Sequence, residues 1–248
     1  MKKYFVVSDI HSFYMNFILT IEKEGFQKYN PNHILIICGD LFDRGPQSVE
    51  LLHYLLSIPE DRLVLIRGNH EDLMEECLQQ LEERQTASYH HFTNGTIDTI
   101  SQFSLTNKYD LASGFYNFRE IKHSMSGYFK LIERCVDYYE VGDYIFVHGW
   151  VPTVFKDGKQ IPKLDADKDE WKKARWDNGM KMADLGSVIP NKTIVCGHYH
   201  TGWGHKNINK TCLDEFDNFE IYRNNGIIAL DGCIAYSGKV NVLVIEEE

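Results

Sequence analysis

The side chains able to do chemistry fall into short clusters spread along the chain. They are Asp9 and His11 in Ser8-Asp9-Ile10-His11, Asp40 in Gly39-Asp40, and Asn69 and His70 in Gly68-Asn69-His70-Glu71. Further on come His148 in His148-Gly149 and the pair His198 and His200 in Gly197-His198-Tyr199-His200. Carboxylate and imidazole together suit intermediate divalent metals such as Mn, Fe or Zn, whereas an all-oxygen set would favour Mg or Ca. The set is larger than one tetrahedral zinc requires. Two ions sharing a bridging carboxylate use such a surplus, and they clamp both the attacking and the leaving oxygen of a phosphoryl transfer. Arg44, two residues before Pro46, is placed to hold phosphate oxygens through its guanidinium fork. Taken singly the pieces are ordinary. A lone strand-end histidine is usually structural, Asp9 could cap a helix, and Asp43-Arg44-Gly45 could be a turn.

What distinguishes the clusters is the kind of segment before them. Each follows a short apolar, β-branched run: Tyr4–Val7, His33–Cys38, Leu63–Ile66, Tyr144–Val147 and Thr193–Cys196. Such runs, bounded by Gly or Asn/Asp, read as buried strands. Helical patterns follow the first three. Ser12 is a cap for a helix running to about Glu24, with Gly25 as its stop. Pro46 opens a helix that buries Val49, Leu51, Leu52, Leu55 and Leu56, and Glu71-Asp72 place acids at the start of Leu73–Arg84. Strand–helix alternation implies a parallel sheet, and ligand sites in such sheets lie at the carboxyl ends of the strands. Five strand ends carrying metal-type residues are poorly explained as coincidence. His33, His53, His90, His91, His123 and His205 lack this setting and read as surface or core histidines.

The rest of the chain bounds the interpretation. Residues 77–128 are rich in Thr, Ser, Asn and aromatics and read as a helical cap or insertion. Gly226–Leu230, Cys233–Tyr236 and Lys239–Ile245 read as an antiparallel meander. With no internal repeat or low-complexity linker, residues 1–248 are expected to form one domain. The 248 residues carry 26 basic and 36 acidic side chains, a net charge of −10. That acidity argues against an extended nucleic-acid surface, though not against a local phosphate pocket. The six cysteines show no CxxC spacing, so a disulfide framework is not expected. The N-terminal apolar run meets Asp9 too soon for a signal peptide, and no segment is long enough to span a bilayer. A cytoplasmic protein without membrane partners is expected. The final Glu246-Glu247-Glu248 reads as a solvated tail.

Asp9-Ile10-His11, Gly39-Asp40-Leu41-Phe42-Asp43-Arg44-Gly45, Gly68-Asn69-His70-Glu71, His148-Gly149 and Gly197-His198 together resemble the ordered signature of the calcineurin-like metallophosphoesterases. The GDxxDRG and GNHE forms are those of the phosphoprotein phosphatase branch, which includes bacterial Ser/Thr phosphatases and symmetrical diadenosine-polyphosphate hydrolases. The resemblance implies an α/β fold in which two mixed β-sheets form a sandwich flanked by helices. It implies Asp9 and His11 on the first metal, Asp40 bridging both, and Asn69, His148 and His198 on the second. His70 would be the general acid, oriented by Asp43, with Arg44 on phosphate and Glu71 supporting the helix start rather than binding metal.

Three features depart from the branch. Ser8 and Ser12 stand where glycines are usual, and either caps locally or crowds the metal approach. Gly197-His198-Tyr199-His200 is closer to the GHxH of the wider superfamily, which makes His200 a candidate extra ligand. Arg175 is the candidate for a second phosphate-holding arginine, its alternative being a helix-surface charge. The resemblance implies a phosphomonoester hydrolase using two divalent ions, Mn2+ foremost with Fe or Zn as alternatives, and attack by a metal-bridging hydroxide. A Ser/Thr phosphoprotein is the leading substrate and a diadenosine polyphosphate or other nucleotide the closest alternative. A phosphodiester or nucleic-acid substrate comes third. A degenerate binding scaffold is disfavoured, because both His70 and Asp40 are retained.

Overall fold

Alternate residues of the apolar runs serve two different cores, which is why the runs are apolar throughout their interiors. The computed structural model describes residues 1–247. The first half begins β1 (Lys3–Val7), α1 (Tyr14–Lys23), β2 (His33–Cys38), α2 (Ser48–Leu56), β3 (Leu63–Ile66) and α3 (Asn69–Glu82). Five short helices follow: α4 (Tyr89–Thr93), α5 (Thr96–Ser104), α6 (Lys108–Ser113), α7 (Phe118–Ser124) and α8 (Ser126–Ile132). Next come β4 (Tyr139–Val141), β5 (Tyr144–Phe146), the hairpin β6 (Thr153–Lys156) and β7 (Lys159–Pro162), α9 (Lys168–Ala174) and α10 (Gly179–Asp184). The chain closes with β8 (Thr193–Cys196), α11 (Thr201–Asn207), β9 (Tyr222–Asn224), β10 (Ile227–Ala229), α12 (Ile234–Ser237) and β11 (Leu243–Glu246).

Two mixed sheets result, ordered β11-β1-β2-β3 and β4-β5-β8-β10-β9. In the first, β1, β2 and β3 run parallel and β11 joins β1 antiparallel. In the second, β5, β8 and β10 run parallel between antiparallel edges. Tyr4, Val6, Ile34 and Ile36 of the first sheet meet Phe146, Val195 and Ile228 of the second in the central core. The opposite residues, Phe5, Val7, Leu35 and Ile37, pack under α1, α2 and α3. Ile145, Ile194 and Ala229 do the same beneath Trp171 of α9 and Met180 of α10. This is the expected sandwich flanked by helices, with the carboxyl ends of the parallel strands at one rim.

Four local expectations are corrected. Ser12 does not cap α1: it has a left-handed backbone, its hydroxyl bonds Ser48 at 2.8 Å, and the helix begins at Tyr14. The helical insertion is shifted, because Cys77 and Leu81 still belong to α3 and the short helices run from Tyr89 to Ile132. Its Ile97, Ile100, Phe103 and Tyr128 share the core of α1–α3. The C-terminal meander does not form. β10 runs parallel to β8, Ile234–Ser237 is helical, and β11 crosses to the other sheet to pair with β1. Nor is the end of the chain simply solvated: Glu246 pairs with Lys3 at 3.0 Å and Glu247 accepts from the Tyr4 hydroxyl at 2.9 Å, while Glu248 lies outside the described residues.

Candidate metal centre

Asp9 follows β1, Asp40 follows β2, and Asn69 and His70 open α3 just beyond β3. His148 follows β5 and His198 follows β8. All six are drawn to one buried basin. Glycines permit the approach: a side chain at Gly39 would come within 2.5 Å of His148 Nδ1, and one at Gly197 within 2.6 Å of Ser8 Cβ. Ser8 therefore packs against Gly197, and neither departing serine caps a helix.

Hydrogen bonds set the ring nitrogens. His148 Nδ1 donates to the Cys38 carbonyl at 2.8 Å, so its Nε2 carries a lone pair. That lone pair faces Asn69 Oδ1 at 2.8 Å and Asp40 Oδ1 at 3.3 Å. Three acceptors turned on one point have no proton to share, and a cation reconciles them. On the other side of Asp40, His11 Nδ1 donates to the Phe42 carbonyl at 3.0 Å, leaving its Nε2 3.6 Å from Asp40 Oδ2. His70 Nε2 lies 3.9 Å from the same oxygen. The ligand atoms of His11, Asp40 and His70, and those of Asp40, His148 and His198, form two groups compact enough to hold an ion, with Asp40 common to both. Asp9 accepts the His198 backbone N–H at 3.1 Å with each oxygen, which ties the first strand end to the last.

The electrostatics suit cations. Burial raises the Asp9 carboxyl well above the usual range, and the neighbouring Asp231 and Asp40 raise it further. Burial opposes ionisation of Asp40 too, but His148, His70, His11 and His198 outweigh it and lower its pKa. Burial also lowers His11, His148 and His198, the last to about 3, which favours the neutral imidazole that a metal ligand requires. His70 goes the other way. Burial would lower it, but Asp40 and the bond from its Nδ1 to Asp43 Oδ2 at 2.8 Å raise it. It is thus the one basin imidazole biased toward keeping a proton. Arg44 reaches over both rings, its two terminal nitrogens 3.0 Å from His11 Nε2 and 3.1 Å from His70 Nε2.

The remaining expected residues divide. His200 lines a cavity of about 260 Å³ with His11, Arg44 and His198, but it stands outside the two compact ligand groups and its buried Nδ1 has no partner. Arg175 is not among the residues lining that cavity. Its guanidinium is held by Asp72 at 2.6 Å and by Asp137, a structural tie between α3 and the end of α9. Arg175 is thus engaged in a buried ion pair and stands apart from the cavity that Arg44 lines. Two groups went unread in the sequence. Asp231 is buried, lines the same cavity and acts on Asp9. It follows β10 as the other ligands follow their strands, so the apolar run Gly226–Leu230 ending in Asp-Gly was its signal. Thr96 and Thr99 of α5 bond the Asp43 carboxylate and backbone, at 2.9 and 3.1 Å, and nothing in their sequence setting announces this.

Sheet sandwich and basin together place the chain among α/β proteins that gather Asp, Asn and His side chains at one rim of the sheets. The family follows plainly: the chain matches the calcineurin-like phosphoesterases over residues 2–202 and belongs to them. It is 42% identical over 71 residues to the symmetrical bis(5'-nucleosyl)-tetraphosphatase of Buchnera aphidicola subsp. Acyrthosiphon pisum, a match covering 29% of this chain and 24% of that one. The chain thus spans about a quarter of the length of the curated relative it matches. Among solved structures, a cold-active protein tyrosine phosphatase superposes with a TM-score of 0.53 at 17% identity, covering 99% of this chain and 74% of that one. A protein serine/threonine phosphatase from Saccharomyces cerevisiae gives 0.50 at 18% identity, covering 80% and 61%. At such identities these two likenesses speak for the fold alone.

Proposed function

We propose that the chain hydrolyses phosphomonoesters, with a Ser/Thr phosphoprotein as the substrate class, and that manganese is its working metal. The carrying observation is Asp40, whose Oδ2 lies toward His11 and His70 and whose Oδ1 lies toward His148, so that one carboxylate stands between two groups of imidazoles. Asp9, His11 and Asp40 would hold one ion, and Asp40, Asn69, His148 and His198 the other, with His200 beside the first. When bound, such ions supply Lewis acidity at the phosphoryl oxygens and a water of lowered pKa.

The chain's own groups do the rest. Arg44 presents its fork at the mouth of the basin, where a bidentate grip orients the phosphate. His70, biased toward its protonated form by Asp40 and Asp43, would donate from Nε2 to the leaving oxygen, a step worth about 10²–10⁴ in rate for an alkoxide. Asp43 holds the imidazolium through Nδ1 and is itself held by Thr96. Asp40 and His70 are both present, which favours catalysis over a binding scaffold. The shared helix-side core supports residues 1–248 acting as one unit, and six unpaired cysteines suit a reducing, cytoplasmic setting. Purified protein with manganese should hydrolyse an aryl phosphate, and Asp40→Asn should abolish this; full activity in that variant would overturn the assignment.

A second reading has its own support. Trp176, 45% exposed, stands edge-on to His198 at 5.8 Å, and Tyr199, 38% exposed, flanks the same ring at 5.4 Å. Two accessible rings beside the metal basin are suited to stacking a nucleobase, in line with the named activity of the Buchnera relative. Parallel assays on a phosphopeptide and on diadenosine tetraphosphate decide between the two.

A further inference from the structure

The helical insertion contributes a histidine that the scheme above does not use. His91 on α4 is completely buried, yet neither of its ring nitrogens has a hydrogen-bond partner. The nearest carboxylate contact, Glu76 Oε1 at 3.9 Å from Nε2, is too long for a hydrogen bond and belongs to a half-exposed side chain. A buried imidazole left unpaired costs free energy, so such a group in a folded protein calls for a reason.

The same side of the basin holds a second orphan. Asp43 spends Oδ2 on His70 and Thr96, while its Oδ1 is buried and unpartnered. His91 stands five residues before Thr96, whose hydroxyl donates to Asp43 Oδ2 at 2.9 Å, so the α4–α5 segment that carries it is anchored on the Asp43 carboxylate. The connection between α4 and α5 packs directly on the Asp43-Arg44 backbone, since a side chain at Gly95 would come within 2.9 Å of Arg44 Cα and 3.5 Å of the Asp43 carbonyl carbon. Buried polar atoms in this condition are characteristically joined by an ordered water making about three hydrogen bonds.

We propose that His91 is a positioning residue: through a buried water it holds Asp43 Oδ1, and so fixes the Asp43–His70 pair that protonates the leaving group. This rests on the reading of His70 as the general acid. The insertion would then do more than cover the sheet, because it supplies α5 threonines to one side of Asp43 and an α4 imidazole to the other. A carboxylate anchored on both oxygens cannot rotate away from His70 Nδ1, and the geometry of the proton donor is kept through the reaction.

The test uses leaving groups. An alkyl phosphate, such as a phosphoserine peptide, needs the acid; p-nitrophenyl phosphate needs it far less, since its leaving group is stable as an anion. His91→Leu, which removes the polar atoms, should lower the ratio of alkyl to aryl kcat by tenfold or more, with KM and manganese affinity little changed. His91→Asn, which keeps a donor and an acceptor, should recover most of that ratio. His70→Asn, measured in parallel, should lower the ratio by a larger factor. If His70→Asn discriminates and His91→Leu reduces both substrates equally or neither, the proposal is overturned while the acid assignment stands. If His70→Asn shows no discrimination, the acid assignment fails and the proposal with it. Should His91→Leu not fold, His91→Met, which likewise lacks the ring's donor and acceptor, carries the comparison, and an unchanged ratio there overturns the proposal.

Discussion

Glu71 touches no substrate in this scheme, yet Glu71→Gln should change the metal-free protein in a pH-dependent way. The carboxylate is buried and gathers three backbone N–H groups, from Gly68 at 2.7 Å, Leu41 at 3.0 Å and Asp40 at 3.1 Å. Burial and the adjacent Asp40 carboxylate outweigh these donors and push its pKa from 4.5 to about 7. Below the ordinary glutamate value both folded and unfolded chains hold the proton, so the group adds nothing to the pH dependence. Between there and 7 the unfolded chain ionises first, and the folded state loses ground as pH rises. A shift of this size corresponds to roughly 3 kcal/mol. Glutamine cannot ionise and escapes that loss, but its amide exchanges an acceptor for a donor and forfeits one N–H contact, about 1–3 kcal/mol. Chelated E71Q should therefore unfold more easily in urea than the parent at pH 5, and as late or later at pH 8. The relative change between the two pH values is about 3 kcal/mol. Saturating manganese should cancel the advantage, because a cation on Asp40 removes the repulsion and leaves the anionic Glu71 with all three donors. Manganese affinity of E71Q should fall about 10–100-fold, as when other ligand-supporting bonds are lost. A stability gap that is the same at both pH values, or that moves against the variant toward pH 8, would refute the coupling of Glu71 to Asp40.

Manganese binding should release protons at mildly acidic pH, since Asp9 holds its proton above the usual carboxylate range until a cation displaces it; titration calorimetry in buffers of different ionisation enthalpy reads this directly, and heats independent of the buffer would contradict it. Arg175→Met breaks a buried ion pair and should cost about 3–5 kcal/mol of stability while leaving KM for an aryl phosphate within about twofold. A large rise in KM with little loss of stability would restore the phosphate-clamp role instead. Trp176→Ala should lower kcat/KM for diadenosine tetraphosphate by about tenfold, one lost base stack, relative to a phosphopeptide. Equal effects on both substrates would remove the support for nucleobase stacking.

The sequence exposed the candidate ligands because parallel strands buried on both faces leave continuous apolar runs, and each run ended in a residue of metal-binding type. Asp231 obeyed the same rule and was still overlooked. The run before it sits among short C-terminal segments whose pairing partners are remote. β10 pairs with β8, some 30 residues earlier, and β11 with β1 at the other end of the chain. No local pattern reports such pairings, so a meander was the simplest reading. His91 is a similar case. A buried histidine in a short helix looks like any other until the fold leaves both of its ring nitrogens buried without a partner. Arg175 shows the reverse. Its place in the sequence between His148 and His198, where the family resemblance implies a second phosphate-holding arginine, suggested a clamp, and the structure shows Asp72 and Asp137 bound to it.

The backbone gives a further reason why these residues and not others stand at the strand ends. Asp9, His11, Asp40, Asp43, Arg44 and His198 all have positive φ, between 48° and 73°. Non-glycine residues in this region cost about 1–3 kcal/mol each and persist only where the surroundings enforce them. Here the enforcement is visible, because the first two strand ends are laced together. Asp9 N–H donates to the Gly39 carbonyl at 3.1 Å, His11 to Asp40 at 3.0 Å and Ser12 to Leu41 at 2.9 Å, while Gly45 donates back to His11 at 2.9 Å. The left-handed turn tips each side chain off the strand axis and into the basin. Asp, Asn and His are the non-glycine residues that tolerate it best, and they are also the residues that bind intermediate divalent metals. One short list of residue types thus satisfies the bend and the ion together. Arg44 satisfies neither on its own account, and its strained φ is intelligible only if its guanidinium must sit over His11 and His70, where a phosphate would arrive.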